Sequence, residues 1–214
     1  MHPPKDSVAD GRTARRERSR IAVVDAAFEL ILDGKVPPTP ADIAERAGVS
    51  VSSVFRNFDG LSDIQHQAIE RFEERFAPLL IVAPQPDTPL ETRIEHFVDA
   101  RVELYQVAGP LLRLARQRAL DYPAIADSVG KQQSRLADQA RNFFAPEMAA
   151  STPATASNLL AMIDALASPG AFDVMSGAHA RSPRQVNQTW AAGITTLLRA
   201  HISTTRTHTS GDTT

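Results

Sequence analysis

Residues 39–58 read TPADIAERAGVSVSSVFRNF, and their pattern decides the fold. Thr39 offers a hydroxyl at a helix N-cap, and Pro40 suits the first helical position, where a missing N–H costs nothing. Ile43, Ala44 and Ala47 share the inward side of this short helix. Gly48 stands where the chain must turn sharply, a place suited to positive φ. Val49 plugs the turn, Ser50 caps a second helix, and Val54 and Phe58 hold that helix down. Ala44 has to be small because two helices cross closely there. A small residue, a glycine four positions on and an aliphatic residue six further is the spacing of a helix-turn-helix. An αα-hairpin serving only as core is the plainer alternative; the caps, the flanking helices and the lengths favour the helix-turn-helix.

Working outward, Val24, Ala27, Phe28 and Ile31 line one face of a first helix expected over about residues 16–33, stopped by Gly34. Ile64, Ala68, Phe72, Phe76 and Leu79 form another stripe, ending near Pro78. Ser62-x-x-Gln65, Thr88-x-x-Glu91 and Ser182-x-x-Gln185 have capping-box form. Gly109-Pro110 is expected to close one helix and open the next, and Pro123 to start a long helix ended by Ala145-Pro146. Apolar spacing is helical nearly everywhere, and two-residue alternation is not sustained. The expected class is all-α, with about nine helices. The expected organisation is a basic N-terminal arm (1–17), a three-helix helix-turn-helix domain (18–83), a helical ligand-binding and dimerisation domain (88–202) and a disordered tail (203–214). The boundary falls at Pro84-Gln85-Pro86-Asp87.

The 214 residues are 43% apolar and 22% charged, an ordinary globular composition. No window approaches 18 uninterrupted apolar residues, so a membrane helix is not expected. The N-terminus lacks the apolar stretch of a secretory signal, and the absence of cysteine fits a cytoplasmic protein. The net charge of -2 argues at first against nucleic acid. That average conceals Arg12, Arg15, Arg16, Arg18 and Arg20 against a lone Glu17, a run able to neutralise phosphates.

The run RIAVVDAAFELILDGKVPPTPADIAERAGVSVSSVFRNF resembles the N-terminal domain of the TetR family of transcriptional regulators. The resemblance rests on an arginine-led first helix with Ala26-Ala27, then Gly34, Thr39, Ile43-Ala44 and Gly48-Val49-Ser50. Phe55 and Phe58 stand as the aromatic-x-x-aromatic that ends the recognition helix. It covers residues 18 to about 72; beyond that only length and helicity match. It implies a homodimeric repressor that binds near-palindromic double-stranded DNA and is released by a small-molecule effector, with no cofactor. The alternative is a helical small-molecule-binding protein that uses the helix-turn-helix only as scaffold.

Val51, Ser52 and Ser53 begin the recognition helix, where major-groove contacts are made; the serines suit base edges or phosphate, and Val51 a thymine methyl. Arg56 points toward the backbone or an outer base, Arg46 is a phosphate candidate, and Ser50 reads best as a cap. Thr39, Asn57 and the arm residues Arg15, Arg16 and Arg18 complete the expected DNA-binding set. Three positions depart from the family pattern. Phe55 lacks the usual tyrosine hydroxyl, Asn57 replaces histidine, and Leu61 stands where a lysine usually reaches the DNA backbone.

The family keeps its ligand pocket among the middle helices, which points to Phe97, Arg101, Leu104, Tyr105, Leu112 and Arg116, with ordinary core as the alternative for each taken singly. Arg113 and Arg116 share a face that is either solvated or faces an acidic effector. The resemblance implies that the apolar faces Leu159, Leu160, Met162, Ile163, Leu166 and Val186, Trp190, Ile194, Leu197, Leu198 pair with their copies as a four-helix bundle, Ala191, Ala192 and Gly193 allowing close approach; simple internal core is the alternative. His66 with Glu70 reads as a surface pair, and His96, Asp99 and Glu103 lack the further ligands of a metal site. The sequence contains neither a glycine-rich phosphate loop nor a Gly-x-Ser-x-Gly elbow, so catalytic residues are not expected.

Overall fold

The computed structural model describes residues 6–80, 82 and 87–211. Among them every regular element is helical: α1 (Asp6–Leu32), α2 (Pro40–Ala47), α3 (Val51–Asn57), α4 (Leu61–Phe76), a 3-10 turn (Ala77–Leu80), α5 (Leu90–Arg118), α6 (Pro123–Phe143), α7 (Ala145–Met148), α8 (Pro153–Leu166), α9 (Pro169–Ser176) and α10 (Pro183–Gly211). They form two compact units. The first takes residues up to Arg75 together with Pro110–Ser128; the second takes Phe76–Gly109 and the chain from Val129 on. The expected boundary at residues 84–86 lies outside the described residues.

Four expectations are corrected. First, α1 starts at Asp6, ten residues before the expected 16, so the arginine run is helical. Alanine and arginine are good helix formers, and extending an existing helix avoids a second nucleation. Second, Gly109-Pro110 does not separate two helices: Pro110 lies inside the continuous α5. Third, Ser62 does not cap α4, which opens one residue earlier; its hydroxyl meets that of Tyr122 at 2.8 Å. Fourth, the part of the C-terminal segment within the described residues is helical, because α10 meets no proline after Pro183 and runs to Gly211. Residues 212–214 lie outside the described residues.

Other stops and starts follow the sequence. Gly34 (φ 86°) ends α1, and Lys35 N–H bonds back to Leu30 O at 2.9 Å. Ser182 and Gln185 form a reciprocal box at α10: Ser182 N–H donates to Gln185 Oε1 (2.9 Å), and Gln185 N–H to Ser182 Oγ (3.3 Å).

In the first unit the core gathers Val23, Ala27, Phe28 and Ile31 of α1, Ile43 and Ala44 of α2, Val54 and Phe58, and Ile64 and Ala68 of α4. In the second, two aromatic clusters carry the packing. Phe97 meets Phe143 and Phe144 at 5.6 and 5.1 Å between ring centroids. Tyr105, Phe172 and Trp190 pack mutually at 5.8–6.2 Å. Such tilted and edge-on pairs add about 0.5–1.5 kcal/mol each beyond burial. The buried pair Arg93–Glu147 ties α5 to α7.

The turn between α2 and α3 rests on Gly48, whose φ of 66° and ψ of 32° lie in the left-handed region. No neighbouring atom lies close to where a Cβ would stand. The cost of a side chain there is therefore conformational alone. Gly48→Ala should destabilise the protein by about 1 kcal/mol, and Gly48→Asn by less, because asparagine tolerates this region. Urea denaturation checks both, and equal costs would refute the conformational account.

Candidate nucleic-acid interface and ligand cavity

Helix α2 is short and well capped. Thr39 Oγ1 accepts the N–H of Asp42 (3.2 Å), while Asp42 Oδ2 accepts the N–H of Thr39 (3.0 Å) and its hydroxyl (2.6 Å). Lys35 Nζ joins Asp42 at 2.5 Å. The Lys35 bond, followed by those from Thr39, lowers the Asp42 pKa from the usual 3.8 to about 2. The Thr39 hydroxyl thus serves the cap, at an exposed position. At the other end Val49 N–H reaches Ala44 O (3.0 Å) and Gly48 N–H reaches Glu45 O (3.2 Å), closing the last turn as the chain reverses.

Ser50 then opens α3, its Oγ accepting the N–H of Ser53 (3.2 Å) and meeting the hydroxyls of Ser52 and Ser53 at 2.9 Å each. Along α3 the side chains divide cleanly. Val54 and Phe58 are buried; Val51, Ser52, Phe55 and Arg56 are exposed, Phe55 to 54%. Ser53 and Asn57 are half-buried, and Asn57 Nδ2 donates across to Ser19 Oγ of α1 (3.5 Å). The short helix therefore presents a narrow, mostly uncharged outward strip, with its basic residue near the C-terminal end.

Arg15, Arg16 and Arg18 project from α1 and are exposed. Arg20 is set apart, its guanidinium lying 5.3 Å from the centre of the Phe58 ring. The side chain of Arg12 lies outside the described residues. Arg46 is held by two carboxylates, Asp33 at 2.9 Å and Glu29 at 3.3 Å. Any phosphate must compete with both. Leu61 begins α4, half-buried.

The second unit carries an open groove of about 720 Å³, within the size range of small-molecule sites. Its wall comes from α5, α6, α7, α8 and the start of α9. Of the six residues expected to bind ligand, Arg101 alone lines it. Phe97, Leu104 and Tyr105 are buried in the core instead, and Leu112 and Arg116 belong to the first unit. The wall residues missed by sequence include Gln133, Leu136, Asp164 and Ser168. Asp164 carries a legible signal: it is an acid inside the apolar run LLAMIDALA.

Arg101 is 1% exposed. It donates through Nη1 to the Tyr105 hydroxyl (3.2 Å) and through Nη2 to Leu136 O (2.6 Å), and its guanidinium lies 5.0 Å from the centre of the Phe97 ring. Tyr105 in turn donates to Ala167 O (2.9 Å), the residue that follows α8. Asp164 Oδ1 stands 3.7 Å from Arg101 Nη2. Burial raises the Asp164 pKa, and Arg101 opposes that rise.

The expected dimer faces need correction. Val186, Trp190, Ile194 and Leu198 of α10 and Leu159 and Ile163 of α8 are buried within the chain itself. A stripe at helical spacing marks a covered face without saying what covers it. Gly193 meets Leu166 of the same chain; an added Cβ would lie 3.0 Å from Leu166 Cδ2. Of the residues expected to pair, Met162 alone is a large apolar side chain left exposed; Leu160, Leu166 and Leu197 are half-buried.

Asp99 bonds Asn187 at 2.5 Å, and no group of three potential metal ligands occurs among the described residues. No single helix among them is long and apolar enough to cross a membrane.

No family profile matches this sequence, and no curated protein is similar to it in sequence. Solved structures are similar in fold. A tetR-family transcriptional regulator from Streptomyces coelicolor superposes with a TM-score of 0.69 at 15% identity, over 89% of each chain. A transcriptional regulator from Rhodococcus sp. Rha1 gives 0.62 at 18% identity, over 86% of this chain and 96% of that one. The multidrug binding protein EbrR, complexed with proflavin, gives 0.55 at 19%, over 84% and 99%. The chain is thus an all-helical protein with a helix-turn-helix unit and a cavity-bearing helical unit. Its fold is that of TetR-family regulators.

The division of α3 yields a direct expectation. Phe58→Ala should cost about 3 kcal/mol, as a large buried aromatic does, whereas Phe55→Ala should stay within about 0.5 kcal/mol, as at other surface positions. Denaturant midpoints of the two variants check this; similar losses would mean that Phe55 is core rather than surface.

Proposed function

We propose that this protein is a DNA-binding transcriptional regulator, a homodimeric repressor whose operator affinity is lowered by a small molecule held in the cavity of its second unit. The observation that carries the reading is the division of α3. Its buried residues anchor the helix, while Val51, Ser52 and Arg56 stand outward where a helix-turn-helix meets the major groove. Nothing in the packing of the chain itself requires an exposed Phe55 between them.

The remaining roles follow from chemistry. Ser52 and Val51 supply base contacts, and Arg56 and Asn57 contact the backbone; base contacts specify and phosphate contacts position. Arg15, Arg16 and Arg18 form a helical basic face that neutralises phosphate, replacing the flexible arm expected from sequence. Symmetric pairing supplies two heads for two half-sites. Because Trp190 is buried in the monomer, its fluorescence does not report pairing; sedimentation does. The effector acts only through a difference in its affinity for the DNA-competent and DNA-incompetent states. EbrR, which is similar in fold, is complexed with imidazole in one structure and with proflavin in another, which supports the reading.

A gel shift on the DNA flanking the protein's own gene, at two salt concentrations, tests the reading. Specific, salt-dependent binding by a dimer is expected; absence of specific binding would leave a helical small-molecule binder. Replacing Arg15, Arg16 and Arg18 together by alanine preserves helix propensity. It should weaken binding at least tenfold, about 1.4 kcal/mol, and flatten the salt slope by about one unit per lost contact. An unchanged slope would remove α1 from the interface.

Arg46 gives a test of opposite sign. Converting both its partners, Glu29→Gln and Asp33→Asn, frees the guanidinium and removes two negative charges from α1 and its end. Operator affinity should rise and its salt dependence steepen. A fall in affinity would show that the ion pairs position the head.

A further inference from the structure

Resting on the reading of the second unit as the effector-binding part, we infer that its cavity takes an amphipathic organic acid, with the carboxylate held by Arg101 and the apolar body lying along α8. The cavity runs the length of that helix. At one end its wall is Met148, Ala149, Pro153 and Ala156; at the other it is Arg101, Asp164 and Ser168. A helix rises 1.5 Å per residue, so the span from Pro153 to Ala165 is about 18 Å. One end is therefore apolar and the other polar, which is the character of the molecule that fits.

The polar end is short of negative charge. A guanidinium has five N–H donors. Arg101 spends two on neutral acceptors, the Tyr105 hydroxyl and the Leu136 carbonyl, and its buried Nε has no hydrogen-bond partner among the described residues. The nearby carboxylate, Asp164, stands at 3.7 Å, beyond hydrogen-bond length. A buried charge with no counter-charge in hydrogen-bond contact is costly unless one arrives. By contrast Arg93, equally buried, has Glu147 directly against it. Arg101 is thus a buried cation whose missing partner is of the carboxylate class, the planar group that arginine binds best.

The charge count of the wall agrees. Of its two arginines, Arg141 is paired with Asp138 beside it, which leaves Arg101 facing the single wall acid, Asp164. The N-terminus of α9, capped by Ser168, opens at the same end, and helix N-termini favour anions. An organic cation would instead have to sit at Asp164 with Arg101 beside it, a like-charge contact in a low-dielectric pocket. Asp164 acts here as an internal competitor that weakens the hold of Arg101 on a ligand.

The test uses the full chain without DNA, in titration calorimetry, with two headgroup series on matched bodies. One is decanoate, decan-1-ol and decyltrimethylammonium; the other is 2-naphthoate, 2-naphthol and 2-naphthylmethylammonium, all below the concentrations at which they aggregate. In at least one series the acid should bind at least tenfold tighter than both partners, about 1.4 kcal/mol. Arg101→Gln should erase that preference, with circular dichroism showing that the helices persist. Asp164→Asn, at a half-exposed position, supplies an arm independent of Arg101 folding: it should tighten acid binding and leave the neutral compounds unchanged. Acids binding no tighter than neutral compounds in either series would overturn the inference, as would loss of acid binding in Asp164→Asn or preference for the cations. Such a result leaves the DNA reading to its own gel shift. Acids that bind without changing operator affinity would keep the ligand class and overturn the ligand-released repressor.

Discussion

The outward strip of α3 depends on one backbone constraint, the left-handed turn at Gly48. Only there do the N–H groups of Gly48 and Val49 reach back to Glu45 and Ala44 while the chain turns into Ser50. For a residue with a Cβ the same conformation costs about 1–2 kcal/mol. Once the turn is set, the rest follows. Ser50 caps α3, Val54 and Phe58 fall into the core, and Val51, Ser52, Phe55 and Arg56 are left outside because a helix has only one inward side.

A different constraint shapes the second unit. Arg101 and Arg93 are charged groups of α5 in the interior, and the chain treats them differently. Arg93 meets Glu147 and behaves as a strut between α5 and α7. Arg101 is hydrogen-bonded to a hydroxyl and a carbonyl, which orient it, and its carboxylate neighbour Asp164 stands off at 3.7 Å. Tyr105 passes the connection on to the end of α8 through Ala167 O. The guanidinium thus links α5, α6 and the end of α8 along one side of the groove. Arg46, in the first unit, is the converse case: an exposed arginine neutralised by Glu29 and Asp33.

Much of the first unit was legible because its signals are local. The Thr39 cap, Gly48, Ser50 and Gly34, and in the second unit the Ser182–Gln185 box, are read from near neighbours in the chain, and the structure shows each doing what its position implies. Ser62 shows the limit of the same reasoning. Its box with Gln65 is permitted locally, yet α4 begins a residue earlier and the hydroxyl bonds Tyr122, sixty positions away. Pro110 is another case: proline is a strong local stop, but α5 continues through it, with Leu111, Leu112 and Leu114 buried beyond. Burial of that face outweighs one lost backbone bond. The outward face of α3 was legible as a position on a helix; the pairing of Arg46 and the tie from Asn57 to Ser19 were not.

By itself, then, the sequence determined that the chain is helical, where its sharpest turn falls, and which short helix presents an outward strip. Each depends on backbone preferences and periodicity, which act between near neighbours. Tertiary structure alone decided what covers each apolar stripe. It buried Val186, Trp190, Ile194 and Leu198 within the chain where pairing with a copy was expected, and placed Phe97 and Tyr105 in the core rather than in the cavity. It also brought Arg101, Leu136 and Asp164 together from three helices. Periodicity states that a face is buried, but the partner is chosen by shape and charge arriving from distant parts of the chain, and those carry no signature in local spacing.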